Sequence, residues 1–199
     1  MGAGSDKSPR RRDARENRER IIDAARAVFA ERGFDVALDA VAQRAGVGRG
    51  TLYRNFPDRY ALGAAIFEHN LLSFESLAKA HRADADGFAL VLRAIVDQQV
   101  ECHALVPALL TGPAAPDLHA LSRRMTRLLA APMRRAQAEG LIRADLVVAD
   151  VLSLLNMISA VVGVDATLRN RRTHAVRALE LVTNGIVEKP AKKRVARKR

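Results

Sequence analysis

Between Ala45 and Arg59 the chain reads AGVGRGTLYRNFPDR, with one arginine between two glycines, then threonine, tyrosine, arginine and asparagine, and a proline that stops the run. The chemistry open to these side chains is recognition by hydrogen bonds. An arginine fork donates in parallel to guanine or phosphate, threonine and asparagine read base edges, and a glycine lets a backbone approach closely. Residues 49–56 suit a short helix, on which positions advance by about 100° each. Leu52 and Phe56 then share an anchoring face, while Gly50, Thr51 and Arg54 lie opposite. Tyr53 and Asn55 flank that outer face, and Arg49 sits at the helix start. Such a surface fits a DNA major groove.

The elements that must hold it are legible on either side. Upstream, Val41, Ala42 and Ala45 point inward from a helix beginning at about Asp39, and Gly46 ends it. Ala42, Gly46, Val47 and Leu52 together allow two helices to cross through a tight turn, which is a helix-turn-helix spacing. Further upstream, residues 15–32 place Ile21, Ile22, Ala25, Val28 and Phe29 at helical spacing. Gly33-Phe34 then supplies a left-handed cap with a hydrophobic contact. Downstream, Pro57 breaks the chain, and Asp58 caps a longer helix toward His81 that carries Leu62, Ile66, Leu71, Phe74 and Leu77.

The run RENRERIIDAARAVFAERGFDVALDAVAQRAGVGRGTLYRNFPDRYAL resembles the amino-terminal domain of the TetR family of transcriptional regulators, in its first helix, its AGV turn, its TLYRNF helix and the basic residue opening the fourth helix. EGLIRADLVVADVLSLL resembles one group of that family's carboxy-terminal domains. The resemblance implies an all-α protein: a three-helix helix-turn-helix DNA-binding head and a larger helical domain for dimerisation and ligand binding. On it, 1–14 is a basic disordered arm, 15–60 the head with its motif at 37–56, 61–188 the regulatory domain and 189–199 a basic tail. It also implies that Arg49, Gly50, Thr51, Tyr53 and Asn55 approach DNA, Arg49 and Thr51 at base edges, Tyr53 and Arg59 at phosphates. Arg54 faces outward and Arg44 closes the preceding helix near the backbone; for both, a solvated surface charge is the competing reading.

Charge agrees with a polyanionic partner. The net charge is +11, and residues 1–59 carry 13 Lys+Arg against 9 Asp+Glu, those from 186 onward 7 against 1, and the middle 13 against 12. Basic ends on a balanced body point to nucleic acid or an anionic membrane met by defined parts of the chain. The arginines of SPRRRDARENR suit either a minor-groove arm or a solubilising leader. The single cysteine, Cys102, cannot close an internal disulfide, and the opening MGAGSDKSPRRRDARE lacks the apolar stretch of a signal peptide, so a cytoplasmic location is expected. Asp6 stands where a myristoylation motif needs serine or threonine. The apolar segment 146–164 contains Asp150 and Asn156, and a buried helix is expected there rather than a membrane span.

The remaining pattern predicts helices over 88–106, 117–139, 147–162 and 173–184, with TGPAAPD as a linker and no internal repeat. Helix 147–162 is apolar nearly all round, and Ser153, Asn156, Ala160 and Gly163 form a line of small or polar residues suited to close approach. With Val176, Leu179 and Val182 of the last helix, this line is where the resemblance places a homodimer interface. Gln99, Cys102 and His103 continue an apolar stripe, and Met125, Met133 and Met157 offer adaptable walls, which together allow a ligand pocket. Read without that pocket, the polar groups are satisfied locally and the methionines are filler. No helical spacing of His69, His81, His119, His174, His103 and Cys102 suits a metal, and no nucleotide loop or catalytic triad is visible, so neither cofactor nor catalysis is expected. The expected function is a DNA-binding regulator, a ligand-released repressor on a palindromic operator, with an unidentified small-molecule effector. An architectural DNA binder of little sequence preference is the alternative.

Overall fold

The computed structural model describes residues 9–113, 117–163 and 167–184, which among them form nine helices and no strand. The head is α1 (Pro9–Arg32), α2 (Leu38–Ala45) and α3 (Arg49–Asn55). Helix α4 (Arg59–Ala80) leaves the head and enters a body of α5 (Gly87–Glu101), α6 (Leu105–Thr111), α7 (Leu118–Ala138), α8 (Val148–Gly163) and α9 (Leu168–Asn184). No helix among the described residues is long and apolar enough to cross a membrane.

Local chemistry sets most boundaries where the pattern places them. Gly33, Gly46 and Gly140 close α1, α2 and α7 at φ 84°, 65° and 68°, the left-handed region that costs glycine least. Asp58 accepts from the Ala61 amide at 2.8 Å, and Asp117 accepts from the amides of His119 and Ala120 at 2.8 and 3.1 Å, which caps α4 and α7. Between α7 and α8 the Gln137 amide donates to the carbonyls of Arg143, Ala144 and Leu146, gathering the connecting loop.

Three boundaries differ from the pattern. Helix α1 begins at Pro9, so it takes in part of the expected arm; proline suits a first helical turn, and Arg12–Glu16 and Arg15–Glu19 pair one turn apart at 2.9 Å. The rest of that arm and all of the tail lie outside the described residues. The single helix expected over 88–106 is two, α5 and α6, joined by a turn at residues 102–104. Pro107 explains the break: in a continuous helix it would leave the His103 carbonyl unpaired and clash with it, whereas within the first turn of α6 its missing N–H costs nothing. Helix α9 starts at Leu168, ahead of the expected 173.

Two apolar cores result. The head core gathers Ile21, Ala25, Val28, Phe29, Phe34, Val41, Leu52, Phe56, Leu62 and Ile66, and it continues into Cys102, Leu105 and Leu109 of the body. At the junction α4 carries Gly63, where an added Cβ would stand 3.0 Å from Phe34 Cε2 and 3.1 Å from Leu105 Cδ1. The second core joins Leu71 and Phe74 of α4 to α5, α7 and α8. Helix α4 is therefore shared by both cores, its first turns in one and its later turns in the other.

Candidate functional site

The outer helix of the head is positioned by two buried side chains. Leu52 and Phe56 are each 1% exposed, and Leu52 is the only buried residue within α3 itself. A helix of seven residues does not hold in water by itself, so these anchors and its start must fix it. At that start the amides of Thr51 and Leu52 converge on the Gly48 carbonyl at 2.9 and 3.1 Å. Across the turn, the Val47 amide donates to the Ala42 carbonyl at 3.0 Å. Arg18 of α1 lies 4.4 Å from the Phe56 ring centroid and donates to the Asn55 carbonyl at 3.4 Å, bracing the far end.

This leaves Arg49, Gly50, Tyr53 and Arg54 exposed, with Thr51 and Asn55 half-buried beside them. The arginines are already engaged within the head. Arg49 pairs with Asp39, and Arg44 Nη1 sits 2.8 Å from both carboxylate oxygens of Glu31. Arg54 donates to the Thr51 hydroxyl at 3.1 Å, and the Asn55 amide donates to the Thr51 carbonyl at 2.8 Å. Surface pairs of this kind are worth about 0–1 kcal/mol each, so a phosphate can displace them at little cost. Arg59 is placed differently from its expected phosphate contact: half-buried, it donates to the Phe34 carbonyl and to Asp35, both at 3.1 Å. The arrangement is a largely exposed polar face with cations at its edges.

In the body, a cavity of about 310 Å³ lies among α4, α5, α6, α7 and α8. Gln99, Cys102 and Met125 line it as the pattern expects. His103 and Met157 do not. The turn after α5 takes His103 off the Gln99–Cys102 stripe and sets its Nδ1 against the Arg171 guanidinium. Met157 stands about 200° around α8 from the lining residue Leu155 and is 61% exposed. Met133 belongs to the body core and not to the cavity wall. Residues that the pattern missed are Phe67, Asn70, Phe74 and Gln98; Asn70 carried a signal, as a polar residue directly before Leu71 on the buried side of α4.

Burial dominates the electrostatics of this region. Burial pushes the Cys102 thiol above its ordinary value, so it is protonated and a poor nucleophile. Its sulfur accepts from the Gln98 amide at 2.9 Å, and the Gln98 carbonyl in turn accepts from Arg26 of α1 at 2.9 Å. Burial, and then the charge of Arg171, hold His103 below its ordinary value. Arg171 is 3% exposed and reaches the carbonyls of Val100 in α5 and Ala30 in α1, both at 3.4 Å. Among the described residues no three histidine, cysteine or carboxylate side chains gather as a metal site.

The outer faces of α8 and α9 are the third feature. Ser153, Asn156, Ala160 and Gly163 are exposed, as are Met157, Val161 and Leu181. Asn156 also lines the cavity. Val176 and Val182 are half-buried, and Val176 lies in an open groove along α9 with Leu168 and Thr173. Leu179 packs against the body core instead of outward.

Comparison with known proteins places this geometry. A sequence model of the family described as "Bacterial regulatory proteins, tetR family" matches residues 21–66, and one described as "Transcriptional regulator SbtR-like, C-terminal domain" matches residues 85–188. The solved TetR transcriptional regulator SCO0520 of Streptomyces coelicolor is 28% identical, with a TM-score of 0.66 over 87% of this chain and 99% of that one. A TetR regulatory protein of Mycobacterium vanbaalenii is 31% identical, with a TM-score of 0.60 over 85% and 97%. An HTH-type transcriptional regulator of Staphylococcus aureus (strain bovine RF122 / ET3-1) is 33% identical over 88 residues, 44% of this chain. The match spans about half the length of that relative, 48%, and others from the same species match over 34% of theirs.

Proposed function

The chain belongs to the TetR family of transcriptional regulators, with that family's helix-turn-helix DNA-binding head, and from this we propose that it is a repressor which binds a palindromic operator as a homodimer and leaves it when a small molecule enters the body. The observation that carries the reading is the build of α3. One buried leucine and Phe56 fix it, Arg49, Gly50, Tyr53 and Arg54 face solvent with Thr51 and Asn55 half-buried beside them, and the helix start is bare enough for close backbone approach. In this reading Arg49, Gly50, Thr51, Tyr53 and Asn55 meet DNA, with Arg49 and Thr51 at base edges and Tyr53 at phosphate. Arg44 and Arg54 add charge at the rim, and Arg59 joins them by exchanging Asp35 for a phosphate.

A dimer follows from the size of the reading head. One short helix covers few base pairs, and two heads about a twofold axis read two half-sites one helical turn apart. The exposed apolar residues Met157, Val161 and Leu181, with the small residues Ser153, Ala160 and Gly163, support an interface on α8 and α9. Release is a population shift carried by α4. Leu62 and Ile66 of this helix belong to the head core, while Phe67 directly after them and Leu71 and Phe74 one and two turns further line the cavity. An effector that favours one tilt of α4 favours one spacing of the heads.

Binding of the purified protein to its own upstream DNA, beside a scrambled duplex at near-physiological salt, tests the reading. Specific regulators prefer their site by about a thousandfold or more. Equal affinity for both duplexes would favour the architectural alternative. Sedimentation that gives a monomer at micromolar concentration would remove the twofold part.

A further inference from the structure

The cavity in the body has a polar demand that nothing among the described residues meets. Asn70 of α4 is 6% exposed and lines it, and so does half-buried Gln99 of α5. The Gln99 amide nitrogen is committed to the Leu155 carbonyl at 3.2 Å. Asn70 Oδ1 and Gln99 Oε1 are both buried with no hydrogen-bond partner among the described residues. Most buried carbonyls in folded proteins are paired, and each that is not carries a standing penalty that a donor from a ligand would relieve. Gln98, by contrast, has both ends of its amide satisfied, by Arg26 and Cys102.

The rest of the wall says what the body of that ligand is. It is made mostly of Phe, Leu, Ile, Val and Met side chains, Leu71, Phe74, Ile95, Leu105 and Met125 among them, and no Asp, Glu, Lys, Arg or His among the described residues lines it. Cys102 adds no charge, because burial raises its thiol. An ionised ligand would lose its hydration there and find no counter-charge. The volume, about 310 Å³, is at the small end of ligand sites.

We propose that the effector is a small, uncharged, largely apolar molecule bearing two hydrogen-bond donors, O–H or N–H, which are received by Asn70 Oδ1 and Gln99 Oε1. This rests on the reading of the cavity as the effector site of a ligand-released regulator, and it specifies which chemistry that site selects.

The test uses matched pairs of probes in which one member has both donors capped by methylation: olivetol against its dimethyl ether, and 1,3-cyclohexanediol against its dimethyl ether, with pentylbenzoate as the anion. Calorimetric titration of the full chain reads each affinity. In at least one pair the donor-bearing member binds about tenfold or more tightly, and pentylbenzoate binds more weakly than olivetol. Asn70→Leu and Gln99→Met each bring the ratio within the pair toward one. Equal affinities within both pairs, absence of binding by all four neutral probes, or preference for the anion each overturn the proposal, on wild-type protein alone. Release of operator DNA is read separately. A donor-bearing probe that binds with the expected preference yet leaves DNA bound upholds the ligand class and overturns the released-repressor reading.

Discussion

Adjacent residues of α3 separate what holds the reading helix from what it reads. Leu52 is 1% exposed and Tyr53 is 49% exposed, so truncating each to alanine perturbs different quantities. Leu52→Ala removes the one buried side chain within a seven-residue helix and leaves a cavity over α2 and Phe56. Truncating a fully buried leucine costs about 2–5 kcal/mol, a large part of the roughly 5–15 kcal/mol that hold a typical domain. Tyr53→Ala removes a half-exposed ring that makes no hydrogen bond among the described residues, and its cost to stability falls within about 0.5 kcal/mol. In the complex, the tyrosine hydroxyl is expected to donate to a phosphate, and a hydrogen bond to a charged group is worth about 1.5–3 kcal/mol for each head. Two heads double this, so affinity falls roughly 150-fold or more.

Melting by circular dichroism and fluorescence anisotropy on a labelled upstream duplex read the two effects. Tyr53→Ala is expected to keep the wild-type melting temperature and lose affinity; Leu52→Ala is expected to lose both. Should Tyr53→Ala bind the upstream duplex as tightly as wild type does, the assignment of α3 as the reading helix is refuted. A Leu52→Ala protein of undiminished melting temperature would instead refute the account of what anchors it.

Other expectations follow from particular groups. His103 is held below its ordinary value of 6.5 by burial and by Arg171, so the unfolded chain binds that proton more readily than the folded one. Its share of stability is therefore whole above about pH 6.5 and falls as pH drops toward the folded value. In His103→Gln, melting temperatures between about pH 7 and 5 should flatten, and an unchanged pH profile would contradict this. Arg171→Met strips donors from the buried Ala30 and Val100 carbonyls and is expected to cost about 2–4 kcal/mol in chemical denaturation; a loss under about 0.5 kcal/mol would show that the bridge from α9 to α1 carries nothing. Deleting residues 190–199 removes six of the chain's cations, Lys192, Lys193, Arg194, Arg197, Lys198 and Arg199. Nonspecific DNA affinity should then vary less steeply with salt, by up to about 0.9 in logarithmic slope per lost phosphate contact, and an unaltered slope would exclude the tail from binding.

The head was legible in the sequence because its determinants are local. The helix phase of Leu52 and Phe56, the glycines at 33 and 46 and the Asp58 cap each act within one or two turns. The body was less so. That α5 breaks after Glu101 depends on Pro107, whose effect reaches four residues back, and the break decides that Cys102 faces the cavity while His103 faces Arg171. Arg171 itself reads as an ordinary surface arginine, since its partners Ala30 and Val100 are 141 and 71 residues away. Asn70 shows the same limit. A single polar residue in an apolar stripe signals a buried hydrogen bond, but whether the bond is made by the protein or left for a ligand depends on how α4 and α5 pack around Cys102.

That packing also bears on how a change in the cavity reaches the head. Two routes leave the cavity wall toward the head. One is α4 itself, a single helix shared by both cores. The other runs from Cys102 through the Gln98 amide to Arg26, on the helix that packs against α2. On the first route, Gly63 seats α4 against Phe34, Leu105 and Leu109 with no side chain of its own. Contacts that close leave little room for the head to rotate on α6 unless α4 moves with it. A ligand drawing Asn70 and Gln99 together would thus act on α4 and α5 at once, and through Gly63 and Arg26 on α1. The carboxamide at 70 then serves twice, as the group that selects a donor-bearing ligand and as the point where its binding free energy enters the helix that carries the head.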